Sequence, residues 1–124
     1  MVEIFSVKID RTLSQDNFRF FINFLDTSKQ QQLNNFKNFE DKLRGLYSAL
    51  LARKIISDKL HLTNTQIQFD INKYGKPYLK NNTDYYFNTA HSGDWIVFAC
   101  ASQPVGIDVE FIKPIDMQIA KDFF

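Results

Sequence analysis

Residues 87–110 read FNTAHSGDWIVFACASQPVGIDVE, and the fold turns on how this stretch divides. Two apolar-rich runs, 86–91 and Trp95–Ala101, flank Ser92-Gly93-Asp94, which is a turn by composition. A second turn, Ser102-Gln103-Pro104, leads into Val105-Gly106-Ile107-Asp108-Val109-Glu110. Successive side chains of a strand point to opposite faces. Val105, Ile107 and Val109 therefore cover one face, and Gly106, Asp108 and Glu110 share the other. The stretch predicts a three-strand antiparallel meander that brings the imidazole of His91 near two carboxylates.

Carboxylates two positions apart on a strand are roughly 7 Å apart along it. Left bare at that spacing they repel, and each raises the other's pKa. A hard divalent cation removes that cost, and Mg²⁺ commonly takes one or two protein carboxylates and keeps positions for water and substrate phosphate. Gly106, lacking a Cβ, lets a ligand approach the backbone. The same residues also describe an ordinary solvated edge of a half-buried strand. His91 is open in the same way, as a satisfied structural group or as a ligand to a phosphate ester.

The rest of the chain sets the frame. At 124 residues it has the size of one domain and can bury a core. A formal charge of +1, with 23% charged residues, leaves no basic arm for nucleic acid and no polybasic membrane patch. The single cysteine, Cys100, excludes an internal disulfide and fits a reducing compartment. Glu3, Lys8 and Asp10 break the opening stretch, which is not a signal peptide, and no apolar run is long enough to cross a bilayer. The expectation is a soluble, cytoplasmic, single α+β domain over 1–124: a strand, helices, then a small antiparallel sheet.

Residues 2–9 alternate as a strand. Ser14 opens a helix in which Phe18, Phe21, Ile22 and Leu25 recur at core-facing spacing. Asp26-Thr27-Ser28 is a cap signal for a polar helix over 29–37. Phe39–Leu60 predicts a long helix with Glu40 and Asp41 in its first turn, where the dipole favours acids. Its leucines and isoleucines spread around the circumference, which makes it the central helix. Arg44 and Arg53 interrupt that surface, and pairing with Asp41 or snorkelling accounts for either. Residues 67–71 alternate as a strand, and Asn72-Lys73-Tyr74-Gly75-Lys76-Pro77 is a turn.

Tyr74-Gly75-Lys76-Pro77, Phe87-Asn88-Thr89-Ala90-His91-Ser92 and Val105-Gly106-Ile107-Asp108-Val109-Glu110, in that order, resemble the first half of the 4′-phosphopantetheinyl transferases of the surfactin-synthetase-activating type. The resemblance runs from the opening strand and Asp10-Arg11 to the final Phe123-Phe124. It implies transfer of 4′-phosphopantetheine from coenzyme A to a serine of an acyl- or peptidyl-carrier protein, an activity that serves antibiotic biosynthesis. It further implies Mg²⁺ held by Asp108 and Glu110, and the diphosphate of coenzyme A met by His91. Lys29 and Arg44 are implied for the 3′-phosphate, and Gly75, Lys76 and Pro77 for the adenine. Guanidinium suits phosphate because its fork matches two oxygens. The family often places a second basic residue shortly after the lysine, where this chain has Gln32. Close relatives have a phosphate-binding serine where this chain has Ala90.

Full-length members of this type build their active site between two related halves, the second carrying a Trp-x-x-Lys-Glu-x-x-x-Lys motif. This sequence has one tryptophan, Trp95, followed by Ile-Val-Phe, and no Lys-Glu pair. The expectation is half of a transferase, with little or no activity alone; a non-catalytic module that binds coenzyme A or a carrier protein is the alternative. Pro114-Ile115-Asp116 opens an amphipathic helix ending on two phenylalanines, which predicts association with a missing half or with a second copy.

Overall fold

The computed structural model describes residues 2–105. Glu3–Lys8 forms β1, whose alternating burial turns Phe5 and Val7 inward. Gln15–Phe21 forms α1, capped by the Ser14 hydroxyl, which accepts from the Asn17 N–H at 3.1 Å. The helix tightens into a 3-10 turn, Ile22–Phe24, and Phe18, Ile22 and Leu25 are buried. Thr27–Asn35 forms α2, two residues earlier at each end than the composition predicts. Asp26 is itself the cap, accepting from the Lys29 N–H at 2.8 Å, and Phe36 already has extended backbone.

Phe39–Leu60 forms α3, capped by Asn38 with Glu40 and Asp41 in the first turn, and it ends on His61 in the left-handed conformation. It spans two apolar clusters. Leu43 and Leu46 join Phe18, Leu33 and Ile96 in one; Ala52, Ile55 and Ile56 join Leu79, Phe87 and Phe98 in the other. The helices α2 and α3 meet at Gly45, where a Cβ would lie 2.2 Å from Leu33 Cδ2. A Cβ there would force the buried Leu33 side chain to shift.

Phe69–Ile71 and Pro77–Leu79 form the antiparallel pair β2 and β3. The strand predicted over 67–71 is shorter because Thr63 and Gln66 close a capping box around a 3-10 turn, Asn64–Gln66, that runs into Ile67. The strand β3 has no counterpart among the predicted strands. Tyr86–Ser92 and Trp95–Ala101 form β4 and β5, joined at Gly93-Asp94. Gly93 has φ 57°, fitting a Gly-X hairpin turn.

The sheet order is β1-β5-β4, with Phe5 opposite Phe98 and Phe98 opposite Thr89. This corrects the predicted meander. Both edges of β5 are occupied, by β1 and β4, so a further strand cannot pair with it; the opening strand, remote in sequence, takes that place. The predicted strand through Asp108 and Glu110, and the helix from Pro114, lie outside the described residues. One face of the sheet packs on α3, and Phe5, Phe98, Phe87 and Thr89 belong to it. The result is an α+β fold.

Candidate functional site

A cavity of about 330 Å³ opens between α2, α3, the β2–β3 hairpin and β4. Its apolar wall includes Ala49, Ala52, Phe69, Pro77 and Phe87; its polar residues include Lys29, Gln32, Ser48, Arg53 and Thr89. Lys29 stands in the first turn of α2, with its Nζ 3.2 Å from Gln32 Oε1.

Arg53 is 8% exposed and is the buried charged residue of the described core. Its Nη1 donates to the Asn64 carbonyl at 3.1 Å and the Asn64 side-chain oxygen at 2.9 Å. Its carboxylate partner, Asp26, is 3.5 Å away and about half exposed, and the guanidinium also lies over the Phe69 ring. Burial pushes the Arg53 pKa down, and Asp26 offsets part of that. A buried cation with one half-exposed counterion therefore lines a cavity that already holds Lys29. Nothing in the sequence distinguishes Arg53 from a snorkelling helix arginine. Thr89 was readable, since it alternates with Phe87 and His91 along β4.

In the 72–76 turn, Asn72 Oδ1 accepts from the Tyr74 and Lys76 N–H groups at 2.9 and 3.0 Å. Gly75 has φ 82° with open space where a Cβ would stand, so its backbone conformation, not crowding, calls for glycine. Lys76 donates from Nζ to the Val105 carbonyl at 3.2 Å. Two of the three motifs thus touch, and Pro77 shares the cavity with Phe87 and Thr89 of the remaining one.

His91 is exposed near the end of β4, two and four residues beyond Thr89 and Phe87 and on their face of the sheet. Ala90 points to the opposite face, so the side chains of this pair are not brought together. Arg44 does not line the cavity. Its Nε donates to the Gly93 carbonyl at 2.9 Å, and its other nitrogens meet Asp41 at 2.9 Å and Glu40 at 3.6 Å. The pairing with Asp41 is the structural alternative that the sequence left open. Asp108 and Glu110 lie outside the described residues. Among those described, no three His, Cys, Asp or Glu side chains group as a metal site. None of the described helices is long and apolar enough to cross a membrane.

A family model described as "4'-phosphopantetheinyl transferase, N-terminal" matches residues 12–103. The chain belongs to this family. Among curated phosphopantetheinyl transferases, Sfp of Bacillus subtilis is 39% identical over 123 residues, covering 99% of this chain and 55% of the relative. The gsp protein of Aneurinibacillus migulanus is 38% identical over 124 residues, covering 100% and 52%. The chain therefore spans about half the length of the curated relatives it matches. Among solved structures, the Helicobacter pylori holo-[acyl-carrier-protein] synthase in complex with coenzyme A superposes with a TM-score of 0.56 at 14% identity, covering 81% of this chain and 97% of that one. That likeness concerns the fold: the single unit seen here corresponds to nearly all of that synthase chain.

Proposed function

We propose that this chain binds coenzyme A and forms one half of a transferase that moves 4′-phosphopantetheine to a serine of an acyl- or peptidyl-carrier protein. The observation that carries this reading is the cavity, where an apolar wall from Phe69, Pro77 and Phe87 faces two cations, Lys29 and Arg53. A flat apolar base and a phosphate are the groups such a wall and such cations accept. His91, on the same face of β4, would meet the diphosphate of a ligand lying along that strand.

Asp108 and Glu110 are the residues that would hold Mg²⁺, which when bound neutralises charge on the diphosphate and the departing nucleotide. Transfer to a serine also needs a group that takes the hydroxyl proton. His91 is the titratable residue of the proposed site that belongs to β4, and the relatives are about twice as long. This chain by itself is therefore proposed to bind without efficient transfer.

Calorimetry of the chain with coenzyme A and Mg²⁺ tests the binding half of the reading, with submillimolar affinity expected. Carrier-protein labelling, with and without the second half of a relative supplied in trans, tests the rest. Labelling only in the mixture is expected. No coenzyme A binding, or full labelling by this chain alone, overturns the reading.

A further inference from the structure

Arg53, on α3, ties together the two segments that lead into two walls of the cavity. On one side, Asp26 caps α2 through Oδ1, which accepts from the Lys29 N–H at 2.8 Å, and its Oδ2 lies 3.5 Å from Arg53 Nη2. On the other, Arg53 Nη1 donates to the Asn64 carbonyl at 3.1 Å and to Asn64 Oδ1 at 2.9 Å. The Ile67 carbonyl follows at 3.4 Å, two residues before Phe69. Asn64 closes the ring, since its Nδ2 donates to the Phe24 carbonyl at 2.7 Å. The guanidinium carbon stands 5.3 Å from the centre of the Phe69 ring.

We propose that Arg53, besides lending charge to the cavity, is a positioning residue: through Asp26 and Asn64 it sets the first turn of α2, and with it Lys29, against the Phe69 wall. Residues 24–26 and 64–67 are some 40 positions apart in sequence, and one side chain of α3 joins them. Guanidinium suits that task. Its planar fork meets acceptors from both segments at once while its face rests on an aromatic ring. An ammonium group keeps the charge but is a point, and cannot span the same acceptors. Arg53 is 8% exposed, so water does not readily replace a partner it loses. Loosening one link of the ring is therefore expected to displace the segments it joins.

The proposal rests on the coenzyme A reading for its ligand, so its test has a ligand-independent arm. In NMR spectra of the chain without ligand, Asn64→Ala and Arg53→Lys are each expected to move the Lys29 amide and the Phe69 ring signals. Signals from Ile96, buried on β5, are expected to stay in place. Asn64 stands outside the cavity lining, so its replacement reaches a ligand only through its neighbours. In calorimetry, Asn64→Ala is expected to weaken coenzyme A about fivefold, the scale of one hydrogen bond, and to leave 3′-dephospho-coenzyme A almost unchanged. In a Lys29→Ala background the same substitution is expected to cost coenzyme A almost nothing further, because both changes act on one contact. Arg53→Lys is expected to lose the preference for the phosphorylated form although the charge is kept.

Equal losses for both ligands, or the same loss with and without Lys29, would mean that the network holds the fold at large and not the place of Lys29, and would overturn the proposal. An Arg53→Lys chain with parental spectra and affinity would do the same, since charge alone would then suffice. If the unaltered chain binds neither ligand, the coenzyme A reading fails while the spectra still decide positioning. An unmoved Lys29 amide in Asn64→Ala sinks it, and that variant covers the case in which Arg53→Lys does not fold.

Discussion

Lys76 donates from Nζ to the backbone carbonyl of Val105 at 3.2 Å, across 29 positions of sequence. The bond fastens the β2–β3 turn to the residue that precedes Gly106, and so brings one motif to the threshold of the segment carrying Asp108 and Glu110. The turn's backbone is held separately by Asn72, which leaves the lysine side chain to make this longer connection.

Lys76→Met keeps an unbranched stem and removes the donor. Coenzyme A affinity is expected to fall about fivefold, the scale of one hydrogen bond, with an unchanged unfolding midpoint because the site is exposed. Calorimetry and thermal melts on the same sample check both. Unaltered affinity would detach the turn from the ligand site.

Gly45→Ala sets two effects against each other. Alanine gains about 1 kcal/mol of helix propensity over glycine. The new Cβ, however, meets Leu33 Cδ2 at 2.2 Å, and Leu33 is 1% exposed and has little room to turn away. Overpacking of that kind costs about 1–3 kcal/mol, so net destabilisation is expected in urea unfolding. Adding Leu33→Ala is expected to make the Gly45→Ala change less damaging, because it removes the clashing methyl. A Gly45→Ala chain more stable than the parent would mean that α2 moves freely on α3.

The Tyr85 hydroxyl is buried with no hydrogen-bond partner among the described residues, beside a second cavity that Cys100, Glu3 and Asp84 also line. Burial, with the Cys100 thiol next in effect, pushes its pKa well above the ordinary 10.0. In the unfolded chain this phenol ionises near its ordinary value while the folded chain still holds the proton. Stability therefore falls as pH rises past about 10. Tyr85→Phe is expected to raise stability at neutral pH by about 1 kcal/mol, by removing an unpaired polar group, and to flatten the alkaline limb. A variant less stable at pH 7 would point to a partner for the hydroxyl, such as a bound water.

Local signals account for much of this architecture. Caps at Ser14, Asp26 and Asn38 are short-range chemistry, and the spacing along α3 follows from burying a helix on several sides. The β4–β5 hairpin is likewise written in Gly93 and its flanking strands. What could not be read locally is which strand takes the second edge of β5. Pairing of β1 with it joins residues more than 80 positions apart, and alternation in Glu3–Lys8 names no partner. The same limit applies at the site. The motifs nominate Pro77 and His91 and the resemblance adds Lys29, but Arg53 enters the cavity through the packing of Asn64 and Phe69, and Arg44 is turned toward Gly93 by a hairpin 49 residues downstream.

Gln32 offers the sharpest test of where a phosphate sits. Lys29 and Gln32 are one turn apart on α2, already in hydrogen-bond contact, and both line the cavity. Gln32→Lys places a third cation in the cavity, one turn from Lys29. Without ligand, like charges at this spacing cost a few tenths of a kcal/mol, so a slightly lower unfolding midpoint is expected. With a phosphate between them both charges are used, and coenzyme A is expected to bind about tenfold tighter at low salt, the gain shrinking as salt screens it. The 3′-dephospho form lacks the group that would bridge the two ammonium ions, so its affinity is expected to change little. Calorimetry with both ligands at two salt concentrations separates these cases. Equal gains for both would show a general attraction between a more basic surface and any polyanion, and the 3′-phosphate would then have no place beside Lys29.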